Sequence, residues 1–282
     1  MRIVSLLPAA TEIVAALGAM GRLVGVSHEC DFPPQVRSLP RVTRSRIDPA
    51  LPSGAIDRAV ADAKRSGTAT VEVDVQLVAQ LRPDVLIAQS VCDVCAIGQA
   101  DLARVVTTLI PIPWVVTLHA HTLDGVLEDI AKVGEALELR DEAEELLAGL
   151  RYRLRRVAAR AAPRPKPRVL VLEWVDPPYV AGHWVPELVR LAGGQDVAAA
   201  PGEPSRQRPW ADLTALQPDL VLVALCGFDA ARARVELEAV RAGAARPLLG
   251  RRVEVIDGNA YTSRPGPRLV DTAEILAALI SR

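Results

Sequence analysis

Residues 3–17 read IVSLLPAATEIVAAL, a short apolar run followed by a proline and then by apolar residues at helical spacing. Residues 3–7 are predicted to form a first strand, and residues 11–17 the helix after it. The small residues and the first amides of this helix come directly after the strand. Backbone N–H groups at a helix start suit an anionic or carbonyl-bearing group, so Pro8 and Ala9 are candidate ligand contacts.

The same alternation of strand and helix continues along most of the chain. Short apolar runs separated by helical patterns predict further strands at 23–26, 85–88, 115–118, 169–172, 220–225 and 253–256, with a shorter one at Val180. A last helix is predicted at 268–280. Alternating β and α units imply parallel sheets with helices on their faces, so the predicted fold class is α/β.

Residues 122–161 break this alternation. They carry no strand signal, and apolar residues from Leu123 to Leu137 recur at helical spacing among many charges. Pro163, Pro165 and Pro167 then end the helix, because proline cannot continue one. The predicted organisation is an N-terminal lobe at 1–121, one long rigid connecting helix at 122–162 and a C-terminal lobe at 163–282. A ligand cleft is expected between the lobes, at the carboxyl ends of their strands.

The composition excludes several functions. Lysine plus arginine number 33 and aspartate plus glutamate 34, so the formal net charge is −1. A nucleic-acid-binding surface or a polybasic membrane anchor needs a strong positive field, and neither is predicted. No membrane insertion is expected either, because Pro111 and Pro113 interrupt the longest uncharged run, 105–123.

The first residues bear on location. Pro8 and Glu12 interrupt the apolar region that a signal peptide would need. The expected location is therefore cytoplasmic if Met1 is the true start, and exported otherwise.

Polar, aromatic and sulfur-containing side chains follow most of the predicted strands. They are His28, Cys30, Asp31, Phe32, Cys92, Cys95, His119, His121, Trp174, His183, Trp184, Cys226, Tyr261, Arg264 and Arg268. His119 and His121 are interpreted as capping the connecting helix. The others are candidates for binding a ligand or a metal.

The opening motif resembles a known family. Residues 5–12, followed by Val24-Gly-Val-Ser27 and Asp31-Phe-Pro-Pro34, are similar to the start of the cobalamin- and iron-siderophore-binding proteins of ABC importers. The cobalamin-binding branch is the nearer match. The Pro83-Asp84 and Pro218-Asp219 strand entries and the Arg264-Pro-Gly-Pro-Arg268 segment fit the same family.

The resemblance covers essentially the whole chain. It implies two Rossmann-like lobes joined by one rigid helix, with the ligand clamped between them. It also implies a monomeric substrate-binding protein and not an enzyme, which would pass cobalamin or a related corrinoid to an ABC transporter permease.

The resemblance turns the strand-end residues into predicted ligand contacts. Aromatic rings would form flat apolar walls for a corrin, and a neutral histidine could ligate its cobalt. The predicted contacts are Pro8, Ala9, His28, Asp31, Phe32, Trp174, His183, Trp184, Tyr261 and Arg264. Trp174 and Trp184 could equally be ordinary core residues. Arg264 and Arg268 could bind a carboxylate, amide or phosphate of the ligand, or cap the carbonyls of the preceding strand.

Two features depart from the family pattern. Family members dock on their transporter through one acidic residue on each lobe, and only Asp101, in the first lobe, is a candidate. The polar stretch 47–70 is also long, and it is interpreted either as a lid over the cleft or as a surface excursion.

The four cysteines suggest a second hypothesis. Cys92-x-x-Cys95 has the spacing of two thiolates on a zinc ion or an iron–sulfur cluster, or of a redox dithiol. Either Cys30 and Cys226 or His28 and His183 could complete a tetrahedral metal site, and only through the fold, although free cysteines are often small core residues. The alternative function is therefore a cytoplasmic metal- or iron–sulfur-binding protein, which could be an enzyme. The chain carries no nucleophile elbow, phosphate-binding loop or H-E-x-x-H motif.

Overall fold

The structure, a computed structural model, describes residues 1–89, 99–161 and 166–282. Its strands are β1 Ile3–Ser5, β2 Leu23–Val26, β3 Thr43–Ser45, β4 Val71–Val73, β5 Val85–Gln89, β6 Trp114–Leu118, β7 Arg168–Val175, β8 Pro178–Val180, β9 Gln195–Asp196, β10 Arg206–Gln207, β11 Leu220–Val223 and β12 Arg252–Val255. Its α-helices are α1 Pro8–Ala16, α2 Ser53–Ser66, α3 Val75–Leu81, α4 Gln99–Thr107, α5 Leu123–Ala136, α6 Arg140–Ala161, α7 Val185–Leu191, α8 Trp210–Ala215, α9 Ala230–Val240, α10 Arg246–Leu249, α11 Gly258–Tyr261 and α12 Leu269–Ile280.

The chain divides into two compact units. Unit 1 comprises Met1–Leu51, Arg58–Ala120 and Asp124–Ala148, and unit 2 comprises Pro52–Asp57, His121–Leu123 and Gly149–Arg282. Two short segments of the first half of the chain therefore belong to unit 2. The boundary between the units falls inside α6, between Ala148 and Gly149.

Unit 1 contains a parallel sheet in the order β2-β1-β5-β6. Val4 and Leu86, on adjacent strands, are fully buried and pack with Val42 and Val78 in one apolar cluster. Because all four strands are parallel, their carboxyl ends lie along one edge of the sheet. The segments after β1, β2 and β6 therefore leave from this same edge.

Unit 2 contains a mixed sheet in the order β10-β8-β7-β11-β12, with β9 pairing β7. The strands β7, β11 and β12 are parallel, whereas β8 is antiparallel to β7. The four residues of β11 are buried on both faces, as expected for a central strand covered by helices. These two sheets confirm the predicted α/β class.

The Pro-Asp strand entries are built in the same way in both units. In unit 1, Asp84 accepts the backbone N–H of Arg2 at 2.6 Å, and the Arg2 side chain donates to the carbonyl of Leu81 at 2.8 Å. In unit 2, Asp219 accepts the backbone N–H of Arg168 at 2.7 Å, and the Arg168 side chain donates to the carbonyl of Leu216 at 2.7 Å. The residue before each proline, Arg82 and Gln217, has a positive φ of 45° and 47°. Each aspartate thus ties the start of one strand to the entry of its neighbour.

The single helix predicted at 122–162 is wrong in its middle, because α5 ends at Ala136 and α6 begins at Arg140. Glu138 has a φ of 59°, and the N–H of Leu139 donates to the carbonyl of Gly134 at 2.7 Å, which closes the end of α5. A Cβ on Gly134 would overlap that of Ala143 on α6. The chain therefore turns here, and Gly134 permits the close approach of the two helices.

The polar stretch 47–70 is neither a bare loop nor a simple excursion. It contains α2, and its last residues lead into β4, which pairs antiparallel with β3. The first turn of α2 belongs to unit 2, where the N–H of Ser53 donates to the Glu236 carboxylate at 2.9 Å and Ile56 packs on the apolar cluster of that unit. None of the helices in the described ranges combines the length and the apolar run that a membrane crossing requires.

Candidate functional site

The carboxyl edge of the unit 1 sheet begins with the turn from β1 into α1. Pro8 occupies the first turn of α1, where its missing N–H costs nothing, and is half-buried. Ala9 is buried, so its side chain belongs to the core and does not reach this edge. Below the turn, Thr11 Oγ1 donates to Ser5 Oγ at 2.8 Å, and this buried hydroxyl pair fixes the start of the helix.

His28 follows β2 at the same edge. Its Nδ1 lies 2.7 Å from Thr43 Oγ1, and its backbone N–H donates to the same hydroxyl at 3.0 Å. Burial lowers the pKa of the His28 imidazole below its ordinary value, and the positive charge of Arg41 lowers the pKa further. The neutral ring is therefore favoured, and Thr43 holds it through Nδ1. Thr43 and Arg41 were not predicted, because both come from a distant segment that the sequence pattern does not link to β2.

Cys30 is a core residue and not an open metal ligand. The residue is only 1% exposed, and its sulfur lies 3.0 Å from Thr11 Oγ1. Arg41 fixes the backbone here, donating to the carbonyl oxygens of Ser27 at 2.9 Å and Cys30 at 2.6 Å. The side chain packs inward because this turn is held against α1. Of the two interpretations of Cys30, its burial favours the small core residue over the metal ligand.

The rest of the predicted cysteine site gains no support. Cys92 and Cys95 lie outside the described residues. Cys226 follows β11 in unit 2 and is half-buried, and its backbone N–H donates to the carbonyl of Glu173 at 2.9 Å. Within the described ranges, no group of three or more histidine, cysteine, aspartate or glutamate residues could hold a metal ion.

Phe32, four positions after His28, is a large apolar residue that unit 1 exposes to solvent. The residue is 41% exposed, although burial of a phenylalanine ring stabilises a folded protein. Asp31, before it, is half-buried, and its backbone carbonyl accepts a hydrogen bond from Arg37 at 3.1 Å. An exposed ring after the carboxyl end of β2 can cover the apolar face of a bound molecule.

Unit 2 holds an aromatic pair at the carboxyl ends of β7 and β11. The rings of Trp174 and Phe228 lie 5.1 Å apart, and the Trp174 indole N–H donates to the carbonyl of Asp176 at 3.1 Å. The guanidinium of Arg232 lies 5.0 Å from the centre of the Phe228 ring. Trp174 is half-buried. Phe228 is not among the predicted contacts, although its position after β11 could have indicated it.

The start of α2 packs beside this part of unit 2. The pKa of Tyr179 is raised by burial first, and then by the charge and hydrogen bond of Asp57, in the first turns of α2. Together with the Ser53–Glu236 hydrogen bond, this contact fixes the beginning of α2 on unit 2.

Two of the predicted unit 2 contacts lie in the core, whereas a third is half-buried. Trp184 is 6% exposed, and its indole N–H donates to the carbonyl of Thr262 at 2.9 Å, so the ring belongs to the core. Arg264 is 4% exposed and donates to the side chain of Asn259 at 2.9 Å. Tyr261 is half-buried, with the Arg268 guanidinium 5.8 Å from its ring centre.

The histidines after β6 separate into two environments. Asp129 of α5 accepts the backbone N–H groups of His119 and Ala120 at 2.9 and 3.0 Å, so the Asp129 carboxylate secures this loop. Burial raises the pKa of Asp129 above its ordinary value, although these two hydrogen bonds act to lower the pKa. His121 belongs to unit 2 and faces His183, with the two Nδ1 atoms 3.4 Å apart. Burial lowers the pKa of His183, and His121 lowers it further.

Comparison with known proteins relates these features to characterised folds. A family model described as periplasmic binding protein matches residues 3–242. The vitamin B12-binding protein of Vibrio cholerae serotype O1 is 23% identical over 278 residues, which span 97% of this chain and 86% of that protein.

Solved structures of other proteins are similar to this chain over nearly its whole length. A periplasmic heme binding protein from Pseudomonas aeruginosa superposes with a TM-score of 0.74 at 25% identity, covering 99% of this chain and 92% of that one. The periplasmic vitamin B12 binding protein of Vibrio cholerae superposes with a TM-score of 0.72 at 22% identity, covering 99% and 96%.

Proposed function

Because the chain belongs to the periplasmic binding protein family, a family of substrate-binding proteins and not of enzymes, we propose that it binds a metal-bearing macrocycle, with cobalamin or a related corrinoid as the first candidate. Heme is the second candidate. The curated relative that spans 97% of the chain is named for vitamin B12, and the structural relative at 25% identity is named for heme. Both ligands are broad, largely apolar rings around a metal.

The single observation that carries this proposal in the structure is the exposed ring of Phe32 at the carboxyl edge of the unit 1 sheet. A flat apolar ligand removes such a ring from water, and contact between two ring systems adds to the gain from burial. His28, four positions earlier, contributes a neutral imidazole whose Nδ1 is already engaged by Thr43. Its Nε2 can therefore meet the ligand metal or a polar group at the ring edge. Pro8, Asp31, Trp174 and Tyr261 stay predicted contacts.

We further propose export from the cytoplasm and delivery of the ligand to an ABC transporter permease. The structural relatives named above are periplasmic by their descriptions. The cytoplasmic location expected from the first residues has no support in these comparisons. Asp101, in α4, stays the predicted docking residue on the first half of the chain. The alternative of a protein that holds zinc or an iron–sulfur cluster through its cysteines is not retained, because Cys30 is buried and no thiolate cluster is found in the described ranges.

Titration of the purified protein with cyanocobalamin, hemin or a ferric siderophore, followed by visible absorption, tests the proposal. We expect saturable binding of a macrocycle at one equivalent. The Phe32→Ala variant should weaken it about tenfold, which corresponds to roughly 1.4 kcal/mol of lost ring contact.

Trp114→Ala is the matched control. Trp114 is also an exposed aromatic residue of unit 1, but it lies at the amino end of β6 and therefore at the opposite edge of the sheet. Equal weakening by both substitutions would show non-specific adsorption to exposed rings. Binding of the ferric siderophore alone would overturn the macrocycle assignment while leaving the family intact.

A further inference from the structure

Two histidines meet in unit 2, although 62 positions separate them in the chain. His121 Nδ1 and His183 Nδ1 are 3.4 Å apart, and the ring centroids are 5.4 Å apart with an interplanar angle of 37°. His121 is exposed and His183 is half-buried, so the pair is open to solvent on one side.

The separation of the two nitrogens suits a shared metal ion better than a direct hydrogen bond. Hydrogen bonds from a ring N–H are usually about 2.7–3.2 Å long, and 3.4 Å exceeds that range. Two imidazole nitrogens at about 2.0–2.1 Å from one tetrahedral zinc ion lie roughly 3.4 Å from each other. We propose that His121 and His183 together bind one divalent transition-metal ion through their Nδ1 atoms.

Both histidines are held in place by contacts within unit 2. The residues after His121 are anchored because the Glu187 carboxylate accepts the backbone N–H of Leu123 at 2.6 Å. The peptide around His183 is held between two hydrogen bonds, from its own N–H to the carbonyl of Glu203 at 2.6 Å and from Gly202 to its carbonyl at 2.9 Å.

His183 also has a strained backbone. Its φ of 54° lies in the left-handed region that favours glycine or asparagine. Strain of this kind persists where the surroundings fix the residue, and it often marks a functional position. The ring is in addition stacked on Trp184, with centroids 5.5 Å apart. These contacts orient the two nitrogens before any metal arrives, which reduces the cost of binding.

The ligand set indicates the class of metal. Imidazole nitrogens suit zinc, copper and nickel, whereas calcium and magnesium prefer oxygen ligands. In the part of the chain that the structure describes, no third residue joins the pair to make a larger metal-binding group. Water or a donor from another molecule would therefore complete the coordination of the ion.

This site does not depend on the identity of the macrocycle proposed above. His183 follows β8, which runs antiparallel to β7. Just after β8, the N–H of Ala181 donates a hydrogen bond to the carbonyl of Val171, so the chain continues toward the amino end of β7. The segment thus leaves the carboxyl ends of the parallel strands, where the aromatic pair of unit 2 lies.

Metal titration of the full chain without a histidine tag tests the site. We expect calorimetry to find one Zn²⁺ per chain, and Co²⁺ to give the strong visible bands of a tetrahedral ion. His121→Gln and His183→Asn should each reduce Zn²⁺ affinity at least tenfold. Asparagine is chosen for position 183 because it tolerates a positive φ.

His119→Gln provides the matched control, since it removes an exposed imidazole only two positions from His121. We expect its Zn²⁺ affinity to stay within about twofold of the unchanged protein. Wild-type protein that binds no Zn²⁺, or an affinity that His121→Gln leaves unchanged, would overturn the proposal. An equal loss in His119→Gln would do the same, because it would place the metal elsewhere.

Discussion

At the scale of single residues, His28 combines an engaged nitrogen with a lowered pKa. Thr43 Oγ1 meets both the ring and the backbone N–H of His28, while Arg41 places a positive charge near the imidazole. The hydroxyl fixes the orientation of the ring, and the charge disfavours its protonated form. A neutral, oriented imidazole is the form that can contact a metal-bearing ligand.

The lowered pKa of His28 predicts how stability depends on pH. The unfolded chain binds a proton at His28 near pH 6.5, whereas the folded chain resists protonation until the pH is lower. The unfolded state therefore binds more protons in this window, and the free energy of unfolding falls as the pH drops through it. Above the unfolded pKa this contribution is fully present. We expect urea denaturation between about pH 8 and about pH 5 to show a smaller loss of stability in His28→Gln than in the wild type. Parallel curves for the two proteins would contradict the assignment.

The burial of Cys30 and the partial exposure of Cys226 predict different reactivities. We expect iodoacetamide to modify Cys226 in the native protein, while Cys30 reacts only when the chain unfolds, because its sulfur lies in the core against Thr11. Peptide mass spectrometry at increasing times gives both rates. Adding urea should accelerate the reaction at Cys30 far more than at Cys226. Equal rates in native protein would show that the turn after β2 opens readily.

Sequence patterns located these residues but not their surroundings. His28 and Phe32 follow β2, as predicted, because strand ends are visible in the apolar pattern. Trp174 instead lies within β7, which extends to Val175 and is longer than predicted. The burial of Cys30, Trp184 and Arg264 depends on contacts with distant residues such as Thr11, Thr262 and Asn259. No local pattern encodes such contacts, so the sequence could not separate core residues from ligand contacts there.

At the scale of elements, the two Pro-Asp strand entries show one device used twice. In each unit, the aspartate carboxylate accepts the backbone N–H of an arginine beside the adjacent strand. The guanidinium of the same arginine donates to a carbonyl at the end of the helix that precedes the Pro-Asp entry. The Pro83-Asp84 and Pro218-Asp219 entries therefore have an equivalent structure in the two units. The helix break at 137–139 did leave a signal that the prediction missed, because Leu137 and Leu139 are two positions apart and residues on one helix face recur every three or four positions.

The repeated device predicts similar effects in the two units. Asp84→Ala and Asp219→Ala should each lower the free energy of unfolding by about 1 kcal/mol, since each removes one hydrogen bond to a backbone N–H near the surface. Denaturant unfolding measures the change. Asp62→Ala is the control, because Asp62 pairs with Arg65 one turn along the exposed face of α2, and loss of such a surface ion pair should cost less. A loss confined to one of the two sites would contradict the structural equivalence.

At the scale of the whole molecule, the alternation of strands and helices was sufficient to predict the fold class. Parallel strands need helical crossovers, so this class leaves a periodic pattern along the whole chain. The assignment of short segments was not predictable. Pro52–Asp57 and His121–Leu123 belong to unit 2 through contacts such as those of Ser53 with Glu236 and Leu123 with Glu187. These contacts join residues far apart in sequence, and the second of them brings His121 to His183.

Ligand binding should stabilise the folded chain as a whole. A macrocycle that binds only the native state adds about 2.7 kcal/mol at a free concentration one hundred times its Kd. For a chain of this length that corresponds to a rise in Tm of roughly 5 °C. Circular dichroism melts with cyanocobalamin and with hemin measure the shift.

At the same ligand concentration, a tenfold weaker Phe32→Ala variant should lose about half of the rise, whereas Trp114→Ala should keep it. An equal loss in both variants would trace the stabilisation to adsorption on exposed apolar residues, because Trp114 lies beside Ile110 and Ile112, which are also exposed. Full stabilisation in Phe32→Ala would instead remove the ring of Phe32 from the binding site.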